Sequence, residues 1–304
     1  MMGIKPDRRT APSVSVVIAT YNRARFLPET IESVLTQRFQ DFEIIVVDDG
    51  STDETQQVLK GYGDKIRSLH QENRGPSAAR NLGIHQARGK WIAIQDSDDL
   101  STPDHLEVLF GQAQKNPNLG LVFANGAYLG GPSHRRTTII PEKKSRRLAE
   151  EGVRLEDLFD KSILRLQAAL IPKQYLEAIG GLDESLRICM DLDLGFRLFM
   201  RYPVAYLNHV VFLYRRHGEN IGRDQELRLS ENIRVIDKLV HEHPRAREIL
   251  GENRIARRVA YRYYRLAKGQ WEAGDKKSAV EAIGKAVALR PLFLKYRFCQ
   301  FRWA

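Results

Sequence analysis

A chain of 304 residues with 42% hydrophobic content can enclose a sizeable core and does not have the composition of a disordered polymer. Only Cys189 and Cys299 occur, which excludes a disulfide framework and cysteine-based structural zinc; with no apolar leader in MMGIKPDRRTAPS and no run approaching ~18 apolar residues, a cytoplasmic, non-integral protein is expected. The formal charge of +10 calls for an anionic partner, and nucleic acid, an acidic membrane surface and a phosphorylated small molecule all satisfy it.

VSVVIAT (14–20) is a β-branched apolar run and predicts a buried strand; Leu27, Ile31, Val34 and Leu35 then recur at helical spacing behind Pro28. FEIIVVDD (42–49) repeats the strand signal, and STDET offers Ser, Thr and Asp as caps for a helix reaching Val58 and Leu59. IRSLH (66–70) is a weaker strand, GPSAARNLGIHQA (75–87) a helix with Pro76 near its start, and WIAIQ (91–95) a further strand. PDHLEVLFGQAQK returns to helix and LGLVFANG, ending at residue 126, to strand.

This alternation predicts an α/β fold with a mostly parallel sheet covered by helices on both faces. In such sheets ligands sit at the carboxyl ends of the strands, so Tyr21 and Asn22, Asp48 and Asp49, and Asp96 to Asp99 are expected to converge. The polar, basic stretch from GGPSHRR to KKSRR (130–147) reads as a surface loop. A helix near 153–160, the strand-like LQAALI (166–171), a GGLDE turn (180–184), a helix from about Asp191 to Arg201 and VVFLYRR (210–216) follow. The remainder is helical, and residues 260–291 look like one tetratricopeptide-type hairpin turning at Gly274 and Asp275, read here as a helical cap. The expected division is a tail at 1–12, a domain at 13–222 with halves at 13–127 and 148–222, and a helical region at 223–304.

WIAIQDSDDL drives an apolar strand into three carboxylates, which cannot share a dry core. An EF-hand is excluded, because Leu100 occupies a ligand position, Ser101 replaces the obligatory glycine and a strand precedes the loop where a helix is required. A helix cap accounts for one carboxylate; a divalent cation bound through oxygens accounts for Asp96 and Asp98 together.

VSVVIATYNR, DFEIIVVDDGSTDET, ENRGPSAARNLGI, WIAIQDSDDL and GGLDESLRICMDLDLGFRL, in that order and spacing, resemble a family-2 glycosyltransferase of GT-A fold over roughly residues 13 to 220. The resemblance implies a nucleoside-diphosphate-sugar donor, Mn²⁺ or Mg²⁺ as cofactor, inversion at the anomeric carbon, and a carbohydrate or glycolipid acceptor. It places Asp98 on the metal and Asp96 near the ribose, and it carries Ser97 and Ala19 into the donor set. Asp49 matches the carboxylate that reads the base and Tyr21 the ring that packs on it; a loop cap and a packing aromatic are the structural alternatives. Arg74 and Arg80, at and within a helix start, suit an anionic donor, with Arg80 equally readable as a core-rim residue. Asp191 in MDLDL matches the catalytic base and could also cap its helix, while Met190 departs from the family's glutamate and Asp193 reads as structural. In YRRHGEN, His217 matches the group that reaches the diphosphate or metal, ahead of Arg215 and Arg216.

A catalytically silent GT-A scaffold is the competing reading, resting on Met190. A specific nucleic-acid site is not expected, since no such motif is present. RPLFLKYRFCQFRWA (290–304) interleaves aromatics with Arg and Lys, so peripheral contact at the inner face of a membrane is a further expectation, beside simple packing of those rings.

Overall fold

The computed structural model describes residues 11–129 and 137–303; most of the expected N-terminal tail and the GGPSHRR part of the expected loop lie outside the described residues. Contacts divide the chain into two compact units. One holds the described residues up to Val153 with Ile163–Arg187 and Arg201–Arg216; the other holds Arg154–Ser162, Ile188–Met200 and the chain from His217 onward.

The first unit alternates β1 (Val14–Thr20), α1 (Leu27–Leu35), β2 (Phe42–Asp48), α2 (Thr55–Tyr62), β3 (Arg67–His70), α3 (Pro76–Gln86), β4 (Trp91–Asp96), β5 (Leu100–Ser101), α4 (His105–Lys115) and β6 (Leu121–Tyr128). It continues with α5 (Glu142–Glu151) and then, after α6 (Leu155–Asp160) of the other unit, with β7 (Ala169–Pro172) and α7 (Lys173–Ala178). After α8 (Met190–Phe199), again of the other unit, β8 (Val204–Tyr214) completes one sheet of order β3-β2-β1-β4-β7-β6-β8-β5.

β3, β2, β1 and β4 are mutually parallel. β7 runs antiparallel to both β4 and β6, and β8 runs parallel to β6 with β5 antiparallel at the edge. The sheet is therefore mixed, with antiparallel pairings beyond the parallel ladder that the apolar runs suggest. Strands β1, β2 and β4 are buried almost throughout, as strands covered on both faces must be. Gly83 lets α3 lie close on β1, since a Cβ there would stand 2.4 Å from a Val17 methyl.

KKSRR is not loop but part of α5. Its charged face conceals two inward positions, Ser145 and Leu148, and the Ser145 hydroxyl meets the Tyr206 hydroxyl and Asn208 Oδ1. So few buried positions leave little apolar periodicity to read.

The second unit joins α6 and α8 to α9 (Gln225–Glu242), α10 (Pro244–Leu250), α11 (Glu252–Glu272), α12 (Lys276–Leu289) and α13 (Leu294–Trp303). The α11–α12 hairpin turns at Gly274, and Asp275 caps α12 by accepting the Ser278 N–H. Ala279, Ala282 and Ala286 form its buried seam. Among the described residues no helix is long and apolar enough to cross a membrane.

Candidate functional site

In the first unit the parallel register sets the rim. Ala19 pairs with Val47 on one side and Asp96 on the other, and Thr20 pairs with Asp48, so all three strands end together. Tyr21 leaves β1 and is 44% exposed. The following Asn22 takes positive φ, which Asn tolerates, and its Oδ1 accepts the Thr52 N–H at 2.8 Å while its own N–H donates to Ser51 Oγ.

Asp49 is buried and holds the next loop. Its Oδ1 accepts from the Arg74 N–H (2.9 Å) and the Gln71 amide (2.6 Å), and its Oδ2 accepts from the Gly75 N–H (2.8 Å). Gly75 has φ of 93°, a conformation that favours glycine, and opens α3 ahead of Pro76. The loop-holding alternative for Asp49 thus has its partners, which leave about one of the carboxylate's four acceptor positions for a ligand. Arg74 extends to Glu184 at 3.1 Å on the surface.

Asp96, Asp98 and Asp99 have separate environments. Asp96 receives the Arg80 guanidinium at 2.6 Å, so Arg80 turns from α3 onto the end of β4. Asp98 lies 3.5 Å from Arg23 Nε. Asp99 is fully buried; its two oxygens accept the Arg215 N–H and the Gln167 amide, each at 2.8 Å. Burial, with Asp96 and Asp98 nearby, pushes the Asp99 carboxyl well above the usual carboxylate range. Ser97 is buried between them, and its carbonyl accepts the Thr30 hydroxyl at 3.0 Å. Arg215 also donates through Nε to the Asp98 carbonyl and pairs with Glu29 at 2.6 Å. Arg216 lies over the Tyr128 ring.

In the second unit Asp191 occupies the first turn of α8, half-buried, with Oδ1 accepting the Leu192 N–H at 2.8 Å. It is not the N-cap: Cys189 holds that position, and the backbone N–H groups of Ile188 and Cys189 donate to Glu231 Oε2 at 2.8 and 2.9 Å. Asp193 is structural, paired with Arg197 at 2.6 Å and Lys238 at 3.0 Å. Burial, with Asp191 and Glu231 close by, pushes the Cys189 thiol up to about 12, which leaves it unreactive. The His217 backbone N–H donates to Asn220 Oδ1, and its ring stands between the Asn220 amide, 3.0 Å from Nε2, and the Glu219 N–H, 3.3 Å from Nδ1, one of which takes the single lone pair of the neutral imidazole.

The first unit therefore brings together Ala19, Tyr21, Asp49, Arg74, Arg80, Asp96, Ser97 and Asp98, and the second holds Asp191 and His217. Sequence reasoning missed Arg23, Gln167 and Glu231. Arg23 stands two residues after Tyr21 in the quoted TYNR, but nothing in the order of residues pairs it with Asp98. A cleft of about 730 Å³ lined by Glu29, Thr36, Pro103 and His209 contains none of the predicted site residues.

The family model described as Glycosyl transferase family 2 matches residues 15–179. An uncharacterized glycosyltransferase of Rickettsia prowazekii is 34% identical over 209 residues, covering 68% of this chain and 64% of that protein. Chondroitin synthase of Escherichia coli is 24% identical over 244 residues, covering 76% and 33%. The chain thus spans less than two thirds of the length of these relatives. Among solved structures, S. aureus TarS 1–349 in complex with UDP-GlcNAc superposes with a TM-score of 0.69 at 18% identity, covering 91% of this chain and 81% of that one. The mannosyltransferase PcManGT from Pyrobaculum calidifontis, in complex with GDP-Man and Mn²⁺, gives 0.60 at 18%, covering 99% and 86%. At these identities the likeness establishes a shared GT-A fold. With strands, carboxylate rim and family model in agreement, this chain belongs to glycosyl transferase family 2.

Proposed function

We propose that this chain transfers a glycosyl group from a nucleoside-diphosphate sugar, most simply a UDP-sugar, to an acceptor hydroxyl with inversion. The observation that carries the reading is the rim at which β1, β2 and β4 end in register, with an exposed Tyr21 and the Asp96–Asp98 pair flanked by Arg23 and Arg80. An aromatic face, carboxylates and guanidinium groups are what a base, a ribose and a diphosphate require. The donors bound by TarS and PcManGT, UDP-GlcNAc and GDP-Man, support a nucleotide-sugar.

Asp96 and Asp98 offer carboxylate oxygens alone, the donor chemistry of Mg²⁺ and Mn²⁺. Among the described residues no group of three His, Cys, Asp or Glu is placed to hold an ion unaided, which fits an ion completed by substrate phosphates and water. Asp98 would hold it. When bound, such an ion neutralises charge on the departing nucleoside diphosphate. Arg80 fixes Asp96 toward the ribose. Asp191 accepts the acceptor's proton as general base, and no carboxylic acid is needed for a leaving group that departs as an anion. The name of chondroitin synthase among the relatives supports a carbohydrate or glycolipid acceptor in polysaccharide assembly.

The test is a panel of nucleotide sugars with Mn²⁺, read first as stabilisation and then as release of nucleoside diphosphate. A true donor at 100 times its Kd should add about 2.7 kcal/mol. Donor binding without turnover on any acceptor would favour the scaffold reading; no binding across the panel would remove both.

A further inference from the structure

α13 carries two apolar faces. Tyr296 and Trp303 point inward, stacking on Tyr264 at 5.3 Å and on Trp271 at 5.1 Å, with Cys299 packed in the same cluster. Leu294, Phe298 and Phe301 recur at i, i+4 and i+7 on the opposite side, and they are 79%, 63% and 87% exposed. Burial of the inner face accounts for the first set of rings, so the packing alternative explains half of this segment and leaves the other half unexplained. An outward row of one leucine and two phenylalanines is an unfavourable surface unless something covers it.

The flanking charges indicate what that is. Arg297 and Arg302 border the row on its two sides, both exposed, and residues 290–303 contain no Asp or Glu. A second copy of this face would bring cations against cations. An acidic bilayer instead offers phosphate to the guanidinium groups and acyl chain to the rings, the division of labour of an interfacial helix. The ten described residues of α13 extend about 15 Å, and this row of side chains along one face suits a helix lying in the interfacial region of a bilayer. We propose that the outward face of α13 is a docking surface for anionic lipid bilayers, seated by Leu294, Phe298 and Phe301 and selected for acidic headgroups by Arg297 and Arg302. This inference stands on α13 alone and is independent of the proposed sugar transfer.

The experiment is flotation of the full chain with vesicles of phosphatidylcholine alone and of equal parts phosphatidylcholine and phosphatidylglycerol. The wild-type chain should partition at least about tenfold more strongly onto the acidic vesicles. Leu294→Ser/Phe298→Ser/Phe301→Ser should lose at least about tenfold on the acidic vesicles, with the near-UV dichroism of the Trp271–Trp303 stack unchanged to show that α13 remains seated. Arg297→Glu/Arg302→Glu should abolish the preference for acidic lipid. Equal partitioning of wild-type chain onto neutral and acidic vesicles overturns the proposal, as does undiminished binding of the triple variant or a retained acidic preference in the arginine variant. A concentration-dependent dimer that the triple variant disperses would assign the face to a second copy and overturn it equally.

Discussion

The Arg80 guanidinium reaches 2.6 Å from the Asp96 carboxylate, bracing the carboxyl end of β4 from the middle of α3. Both side chains are partly shielded, so Arg80→Met leaves Asp96 with an uncompensated charge beside Asp98 and Asp99. Destabilisation of about 1–3 kcal/mol in chemical denaturation is expected, less than for a fully buried pair. Donor affinity should fall with it, and Arg80→Met/Asp96→Asn should recover stability without recovering donor binding.

Asp98→Asn should abolish cation-dependent donor affinity while the fold persists. The substitution weakens the contact with Arg23 at 3.5 Å but relieves repulsion toward Asp99, so stability should change by no more than about 1 kcal/mol. Calorimetric titration of donor with and without Mn²⁺ checks it; unchanged Mn²⁺-dependent affinity would take Asp98 out of the metal site.

Asp191→Asn separates binding from chemistry. The amide retains size and can still accept the Leu192 N–H, but it cannot take the acceptor proton, so kcat should fall by at least ~10²-fold with donor affinity nearly unchanged. Near-native turnover on the true acceptor would refute the assignment.

Glu231, a residue of α9, places its carboxylate at the start of α8 and is expected to act by positioning. Glu231→Ala strips the Ile188 and Cys189 N–H groups of their acceptor and should cost about 1–3 kcal/mol, measured by urea unfolding. Glu231→Gln keeps an acceptor oxygen and should recover most of that loss.

His105 supplies a pH signature unrelated to the carboxylates. Its ring is buried; Ser101 Oγ donates to Gln95 Oε1 and therefore accepts from His105 Nδ1–H at 3.0 Å, leaving Nε2 neutral and without a hydrogen-bond partner. Burial holds its pKa at about 4, below the ordinary 6.5. Above 6.5 both folded and unfolded chains carry it neutral and its contribution is fully present. As pH falls from 6.5 toward 4 only the unfolded chain binds the proton, so stability is lost by up to about 3 kcal/mol, and below 4 this loss levels off. His105→Asn should flatten that part of the stability-against-pH curve; an unchanged slope between 6.5 and 4 would place the titration elsewhere.

The strands that build the rim were legible because β1, β2 and β4 are apolar runs that end abruptly in polar residues, and their register then follows from pairing. β5 has two residues, too short to carry a period; β7 falls at the end of the strand-like LQAALI, but its direction is set by partners distant in sequence. Three aspartates within four residues point to a site but not to their division of roles. Asp99 is singled out by Gln167 and Arg215, which lie 68 and 116 residues away, and no local pattern reports contacts at that range. For the same reason Asp193 could be read as structural from its place beside Asp191, while its partner Lys238 could not be named.

The double reversal at β7 restores to β6 and β8 the direction of β1, β2 and β4. Six of the eight strands therefore deliver their last residues, among them Thr20, Asp48, Asp96 and Tyr214, to one border of the sheet. The two borders are under unequal constraint. Under the proposed function, loops on the border where Thr20, Asp48 and Asp96 end are the ones to rewrite for a new donor or acceptor without disturbing strand pairing, and the opposite border is where the chain can absorb added length. Among the described residues, the exposed Asn116–Pro117–Asn118 turn, which leads into β6 from that far side, is one place in this unit where an inserted tag or reporter should be felt little.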